Sequence, residues 1–156
     1  MKKGFTLIEI LIVVAIIAVL ASMVLVGFGP AQRQGRDARR ISDLRQVQNA
    51  LELYYSKCGY YPGTTQASAP CGGFSSLGNS WSGLVTALTA SNIGINSVPN
   101  DPSGGKSYSY GTNSDGSIYI LESNLEDTNN PALQQSYKTN EFGVDCATSG
   151  HYCIKF

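Results

Sequence analysis

Residues 1–28 read MKKGFTLIEILIVVAIIAVLASMVLVGF, and this stretch decides how the chain is organised. From Phe5 to Phe28 the only strongly polar side chain is that of Glu9. A helix of this length measures about 36 Å, which is enough to cross a hydrocarbon core of about 30 Å. We therefore predict a transmembrane helix over residues 5–28.

Two simpler interpretations of this run are a cleaved secretory signal peptide and an uncleaved membrane anchor. The signal peptide fits badly because the apolar run is too long and no small-x-small site precedes a globular start. The anchor fits the length well. In either case something must offset the cost of Glu9, because an unpaired carboxylate in hydrocarbon costs about 2.5–3.5 kcal/mol on insertion scales.

Two explanations for Glu9 follow from the residues around it. Thr6-Leu7-Ile8-Glu9 matches the capping-box pattern, in which the glutamate returns a hydrogen bond to the first residue of the helix. Alternatively, Glu9 meets a positive charge that another molecule supplies, because a paired charge avoids the cost of an isolated one.

The segment KKGFTLIEILIVVAIIAVLA resembles the N-terminus of type IV pilins and type II secretion pseudopilins, the prepilin family. The resemblance rests on a basic leader, Gly4, a methylatable Phe5, Glu9 five residues beyond the glycine, and the apolar run. It is close over about the first thirty residues. It continues in DARRISDLRQVQNALELYY and GYYP, at residues 37–55 and 59–62.

This resemblance implies a leader at residues 1–4, cut between Gly4 and Phe5 by a prepilin peptidase that then N-methylates the new Phe5 amine. It also implies a helical homopolymer in which Glu9 neutralises the Phe5 amine of a neighbouring subunit. The expected partners are therefore other copies of the chain, the prepilin peptidase, an assembly platform with minor pilins, and the inner membrane before assembly. DNA is a possible partner that the sequence does not indicate.

A second helical segment follows the apolar run. Gly27, Gly29 and Pro30 predict a kink or a locally melted stretch, because proline removes a backbone donor and glycine weakens a helix. Residues 29–57 then continue the N-terminal helix in amphipathic form. One apolar stripe recurs there at three- and four-residue spacing, and polar residues such as Asp37, Arg40 and Asp43 are placed on other faces. The stripe consists of Ala38, Ile41, Leu44, Val47, Leu51 and Tyr54.

Residues 58–156 form the predicted globular head. Periodicity indicates a short helix over residues 80–90, a hairpin over residues 107–121 that turns at Asp115-Gly116, and a third strand near the C-terminus. The fold class is therefore α+β: a long N-terminal helix packed on a small antiparallel sheet, which is pilin-like. We interpret most of the nine tyrosines as packing residues.

Four cysteines lie in the head, and they favour disulfides over zinc because no CxxC pair occurs and the chain has one histidine. Three pairings are possible, and sequence proximity favours Cys58–Cys71 with Cys146–Cys153. Disulfides require the head to lie outside the cytoplasm, although the arginines that follow the span would favour the opposite orientation.

No catalytic constellation is visible, so we expect a peptidase substrate rather than an enzyme, and no firm cofactor. Calcium is a weak expectation, because the resembling proteins often bind it in a loop after the hairpin. The candidate oxygen ligands here are Glu122, Glu126 and Asp127, although the family's glycine-rich loop pattern is missing.

The zero net charge of the chain divides into +4 over residues 1–57 and −4 over residues 58–156.

The first functional hypothesis is a pilus subunit for adhesion, twitching or DNA uptake, favoured by the two disulfides and the size of the head. The alternative is a major pseudopilin of a type II secretion system, favoured by the Pro-Asn-Asp-Pro segment at residues 99–102. A monomeric membrane-tethered binding domain is a third possibility. Before assembly the expected location is the cytoplasm or the inner membrane with the head outside. After assembly it is an extracellular pilus filament or a periplasmic pseudopilus.

Overall fold

The computed structural model describes residues 4–63, 71 and 80–156, with the side chains of residues 23–27 outside that description. The chain divides into two compact units, Met1–Gly35 and Arg36–Phe156. Its elements are α1 (Leu7–Cys58), α2 (Trp81–Ala90), β1 (Ser109–Thr112), β2 (Tyr119–Asn124), a 3₁₀ helix at Pro131–Gln135, and β3 (His151–Lys155). This order confirms the predicted α+β fold with a long N-terminal helix and a small antiparallel sheet.

Helix α1 is continuous from Leu7 to Cys58 and contains Pro30. The locally melted stretch that we expected around Gly27, Gly29 and Pro30 is therefore wrong. A proline inside a helix removes one backbone hydrogen bond and crowds the preceding turn, which a long helix can tolerate. The kink at this place stays a prediction.

Among the residues whose structure is described, no helix combines the length and the apolar character needed to cross a membrane. The span expected over residues 5–28 includes residues 23–27, whose side chains lie outside the description, and this span stays a prediction.

The three strands form one antiparallel sheet in the order β1-β2-β3. Tyr110 of β1 lies opposite Leu121 of β2, which in turn lies opposite Ile154 of β3. Strand β1 begins at Ser109, two residues after the start of the predicted hairpin. Strand β2 begins at Tyr119, because the Asn113 side chain in the turn accepts hydrogen bonds from the backbone N–H groups of Ser117 and Ile118 and so keeps these two residues out of the strand.

The main core of the second unit lies between α1 and the sheet. The last four members of the apolar stripe are fully buried there, together with Leu121 of β2. Ile41 is half-buried against the core, whereas Ala38 is exposed, so the stripe begins one turn later than its spacing predicts.

Helix α2 and the two disulfides complete this unit. The Ser80 side chain caps α2 by accepting a hydrogen bond from Gly83, and Leu84 and Leu88 enter the core. The cysteines pair as Cys58–Cys71 and Cys146–Cys153, which is the pairing that sequence proximity favours.

Candidate functional site

The first unit contains the residues that the sequence singles out for processing and assembly. At the start of α1 the backbone N–H and the hydroxyl of Thr6 both donate to Glu9 Oε2, at 2.8 and 2.7 Å. The Glu9 N–H donates back to Thr6 Oγ1 at 3.3 Å. The structure therefore contains the capping box. In the chain with its first four residues still attached, the Glu9 carboxylate has hydrogen-bond partners within its own helix.

The second explanation of Glu9 requires a different chemical form. The Phe5 nitrogen is an amide here, since Gly4 precedes it. Only cleavage after Gly4 would convert it into an amine that can carry a positive charge. The Glu9–Phe5 pair between neighbouring subunits stays a prediction.

Exposed apolar side chains lie on both sides of Glu9 and continue to Leu20. Phe5 and Leu7 are 83% and 80% exposed, and the larger apolar side chains up to Leu20 are more than half exposed. Exposed apolar area on this scale marks a surface that contacts a membrane or another protein. We call Phe5 to Leu20 the apolar segment.

The second unit contains a buried ionic cluster formed by Arg36, Asp37, Arg40, Asp101 and Glu126, which we call the arginine cluster. Arg40 is fully buried, and its guanidinium group makes five hydrogen bonds. Two go to Asp101 at 2.7 and 3.0 Å, one to Asp37 at 2.7 Å, and one to Glu126 at 3.0 Å. The fifth goes to the Ser103 hydroxyl. Every N–H of this guanidinium is therefore used.

The arginine cluster also fastens the loop after β2 to α1. Arg36 contacts both carboxylate oxygens of Glu126, and the Asp37 carboxylate accepts the backbone N–H groups of Glu126 and Asp127 at 2.9 Å each. Bidentate pairs and carboxylates that accept backbone N–H groups are among the stronger hydrogen-bonding arrangements. The loop is thereby held at two successive residues.

These contacts shift the acidity of the carboxylates. The Arg36 guanidinium, assisted by that of Arg40, lowers the pKa of Glu126 to about 2. Burial would raise the pKa of Asp101, but the hydrogen bonds from Arg40 and the Ser103 backbone, together with the positive charges of Arg40 and Lys106, outweigh burial and hold that pKa below its ordinary value. The carboxylates of both residues are therefore charged at neutral pH.

The three weak calcium candidates do not converge. Glu126 is held by the two arginines, whereas Glu122 lies 3.0 Å from His151, and Asp127 accepts from the backbone of Asn129. Within the described part of the chain, no three His, Cys, Asp or Glu side chains are grouped so that they could hold a metal ion.

Comparison with known proteins finds matches to part of the chain. The model of a family described as the prokaryotic N-terminal methylation motif matches residues 1–25, which include Gly4, Phe5 and Glu9. Type II secretion system core protein G of Escherichia coli is 37% identical over 65 residues. The proteins of that name from Klebsiella pneumoniae and Aeromonas hydrophila are 35% and 32% identical over the same length.

These matches support the resemblance of the chain to the type IV pilin and pseudopilin family.

The likeness of this chain to its relatives is partial. The matched 65 residues are 42% of the chain, and they span about 45% of the length of the Escherichia coli relative and 46% of each of the other two. No solved structure matches the chain significantly.

Sequence reasoning missed the arginine cluster. It placed Asp37, Arg40 and Asp43 away from the apolar stripe, yet the structure buries all three. The spacing of Asp37 and Arg40 is compatible with an ion pair within one helix. No local signal reveals Asp101 or Glu126, which lie 61 and 86 residues beyond Arg40.

Proposed function

We propose that this chain is the major pseudopilin of a type II secretion system, a structural subunit that polymerises through its N-terminal helix. The relatives named above are secretion-system core proteins, which supports this alternative over the pilus subunit that the sequence analysis ranked first. The chain acts as a substrate of the prepilin peptidase and not as an enzyme. It is anchored in the inner membrane as a precursor and forms a periplasmic filament after assembly.

The observation that carries this proposal is the apolar segment, which is exposed along its length and begins beside the Gly4–Phe5 peptide bond. Once the leader is removed, the new Phe5 amine and the Glu9 carboxylate lie at the same end of this surface. Glu9 can then exchange its bonds with Thr6 for the amine of a neighbouring copy. Such a pair would serve to fix the register of subunits more than to add net stability.

The first test addresses processing. Gly4→Leu should leave an uncut precursor, because the peptidase must accommodate the residue at the cleavage point, and mass spectrometry of the N-terminus reads the result. Gly35→Leu is the matched control, since an added Cβ at either glycine meets no atom within 4 Å. Normal processing and assembly of Gly4→Leu would contradict the proposed leader.

The second test separates the two roles of Glu9. Glu9→Ala should still enter the membrane yet fail to form filaments, whereas Thr6→Ala removes the side-chain part of the capping box and leaves the carboxylate for a neighbour. Filament assembly is read by cross-linking in the membrane, where a polymer gives a ladder and a monomeric tether gives none. Normal filaments from Glu9→Ala would mean that Glu9 is only a helix cap.

The third test separates a pseudopilus from a pilus. Shearing of cells releases long surface fibres but not short periplasmic filaments. The proposed pseudopilin should therefore stay with the cells at native expression levels. Abundant chain in the sheared fraction would favour the pilus subunit instead.

A further inference from the structure

A polar cleft lies in the second unit, between the first turn of α2 and the free edge of β1. Its volume is about 540 Å³, within the range of about 300–1,000 Å³ that is usual for small-molecule sites. Trp81 and Ser82 line it on the α2 side, Asn100 and Ser107 on the side of the chain leading into β1, and Gly143 on a third side. None of its lining residues belongs to the arginine cluster.

The cleft lies along the open edge of the sheet. Strand β1 is paired with β2 only, so its other edge has no strand partner in the described part of the chain. In an antiparallel pair the backbone N–H and C=O of every second residue face the partner strand. Because the Asn113 N–H donates to the Ile118 carbonyl, the residues of β1 that face β2 are Gly111 and Ser109. The backbone N–H and C=O of Tyr110 therefore point to the open edge, beside the cleft.

One wall of the cleft consists of two aromatic rings in contact, those of Trp81 and Tyr108. The Trp81 indole packs edge-on against the Tyr108 ring, with centroids 5.1 Å apart at 78°. Tyr108 is itself fixed, because it is buried and its hydroxyl donates to Asp43 at 2.7 Å. Trp81 is only half-buried, so part of its apolar ring is held ready to contact a ligand.

Apart from Gly143 and Val144 the remaining lining is polar, and all of it is uncharged. None of the described side chains that line the cleft is acidic or basic. Ser82, Asn100 and Ser107 are exposed there. Within the described residues, neither the Ser107 hydroxyl nor the Trp81 indole N–H has a hydrogen-bond partner, and the Asn100 side chain uses only its oxygen, which accepts from the next backbone N–H. Hydroxyl, amide and indole groups that are not engaged can serve a ligand as donors and acceptors.

We propose that this cleft binds a neutral sugar, with one apolar ring face against Trp81 and its hydroxyl groups bonded to Asn100, Ser107 and the edge of β1. A charged ligand would find no counter-charge here, and a fully apolar ligand would leave the serine and asparagine groups without partners. A pyranose ring presents both an apolar C–H face and a rim of hydroxyls, which matches this arrangement. The proposal is independent of the filament function.

The test is a titration of the full mature chain in micelles of a polyoxyethylene detergent, because maltoside detergents carry a competing sugar. Trp81 is the single tryptophan, so its fluorescence reports on the cleft. The probes are glucose, galactose and N-acetylglucosamine. At least one should give a saturable change with a dissociation constant on the order of 1 mM, as befits a ligand of about a dozen non-hydrogen atoms. Glycerol and glucuronate, which lack the ring or add a charge, should give none.

Variants locate the binding. Asn100→Ala and Ser107→Ala should each weaken the sugar by about 3–10-fold, the usual cost of one lost hydrogen bond. Ser149→Ala, at an exposed serine outside the cleft, should leave it unchanged. Saturation-transfer NMR of the sugar protons is the second readout. No saturable signal by either method, an equal response to glycerol, or equal binding by all three variants would overturn the proposal.

Discussion

Replacement of Arg40 by methionine tests the arginine cluster most directly. Methionine keeps most of the length and apolar stem of the side chain but removes the charge and all five hydrogen bonds. The change leaves Asp37, Asp101 and Glu126 facing Arg36 alone, so the net charge of the cluster goes from −1 to −2. The stability of the second unit should fall because buried carboxylates then lack their partner.

The expected loss can be worked from the burial of the groups. Removal of one partner from a buried ion pair costs about 3–5 kcal/mol. The side chains of Arg40 and Asp37 are 0% exposed, but that of Glu126 is 19% exposed and can regain water. A value near the lower end, about 3 kcal/mol, is therefore expected. With a urea slope of about 2 kcal/mol/M, the unfolding midpoint would fall by about 1.5 M.

The assay is urea unfolding of the full chain in micelles, followed by Trp81 fluorescence. Urea is used because guanidinium chloride would screen the ion pairs. Arg39→Met is the matched control, because that side chain is 62% exposed and should cost at most about 0.5 kcal/mol. The double variant Arg40→Met with Asp101→Asn should lose less than the sum of the single losses, since one stranded charge is removed. An Arg40→Met midpoint equal to that of Arg39→Met would refute the reasoning.

Three further predictions use the same unfolding assay. The folded-state pKa of Glu126, about 2, lies below the unfolded value of about 4.3. The stabilising contribution of this carboxylate is therefore present above pH 4.3 and is lost as the pH falls towards 2. Glu126→Gln should weaken the fall of the unfolding midpoint over this pH range, and an unchanged fall would contradict the pairing. Replacement of both Cys146 and Cys153 by serine should cost about 2.5 kcal/mol by the loop-entropy estimate, and no change in midpoint would count against the disulfide. Gly111→Ala should cost about 1–3 kcal/mol, because the added Cβ would lie 2.5 Å from the backbone oxygen of Phe142. Gly104→Ala is the control and should be neutral, because its Cβ meets no atom within 4 Å. Equal effects of the two changes would contradict the contact between Gly111 and Phe142.

The sequence by itself determined the features that depend on neighbours in the chain. The Thr6–Glu9 spacing predicts the capping box that the structure contains, and the motif around Gly4 and Phe5 lies in the stretch that the N-terminal methylation model matches. The disulfide pairing favoured by proximity is also present. Each of these signals acts over a few residues up to about a dozen, so composition and periodicity are enough to read it.

The tertiary structure alone decided which polar groups are buried and what they contact. The sequence places Arg40 on the polar face of an amphipathic helix, but in the structure Asp101 and Glu126 cover it. The helical spacing of Trp81 is typical of a core residue, but in the structure Asn100 and Ser107 line a cleft together with it. A helical pattern shows which residues share a face, but not which distant loop is laid over that face. Burial, and with it the strength of each charge and hydrogen bond, depends on that covering layer.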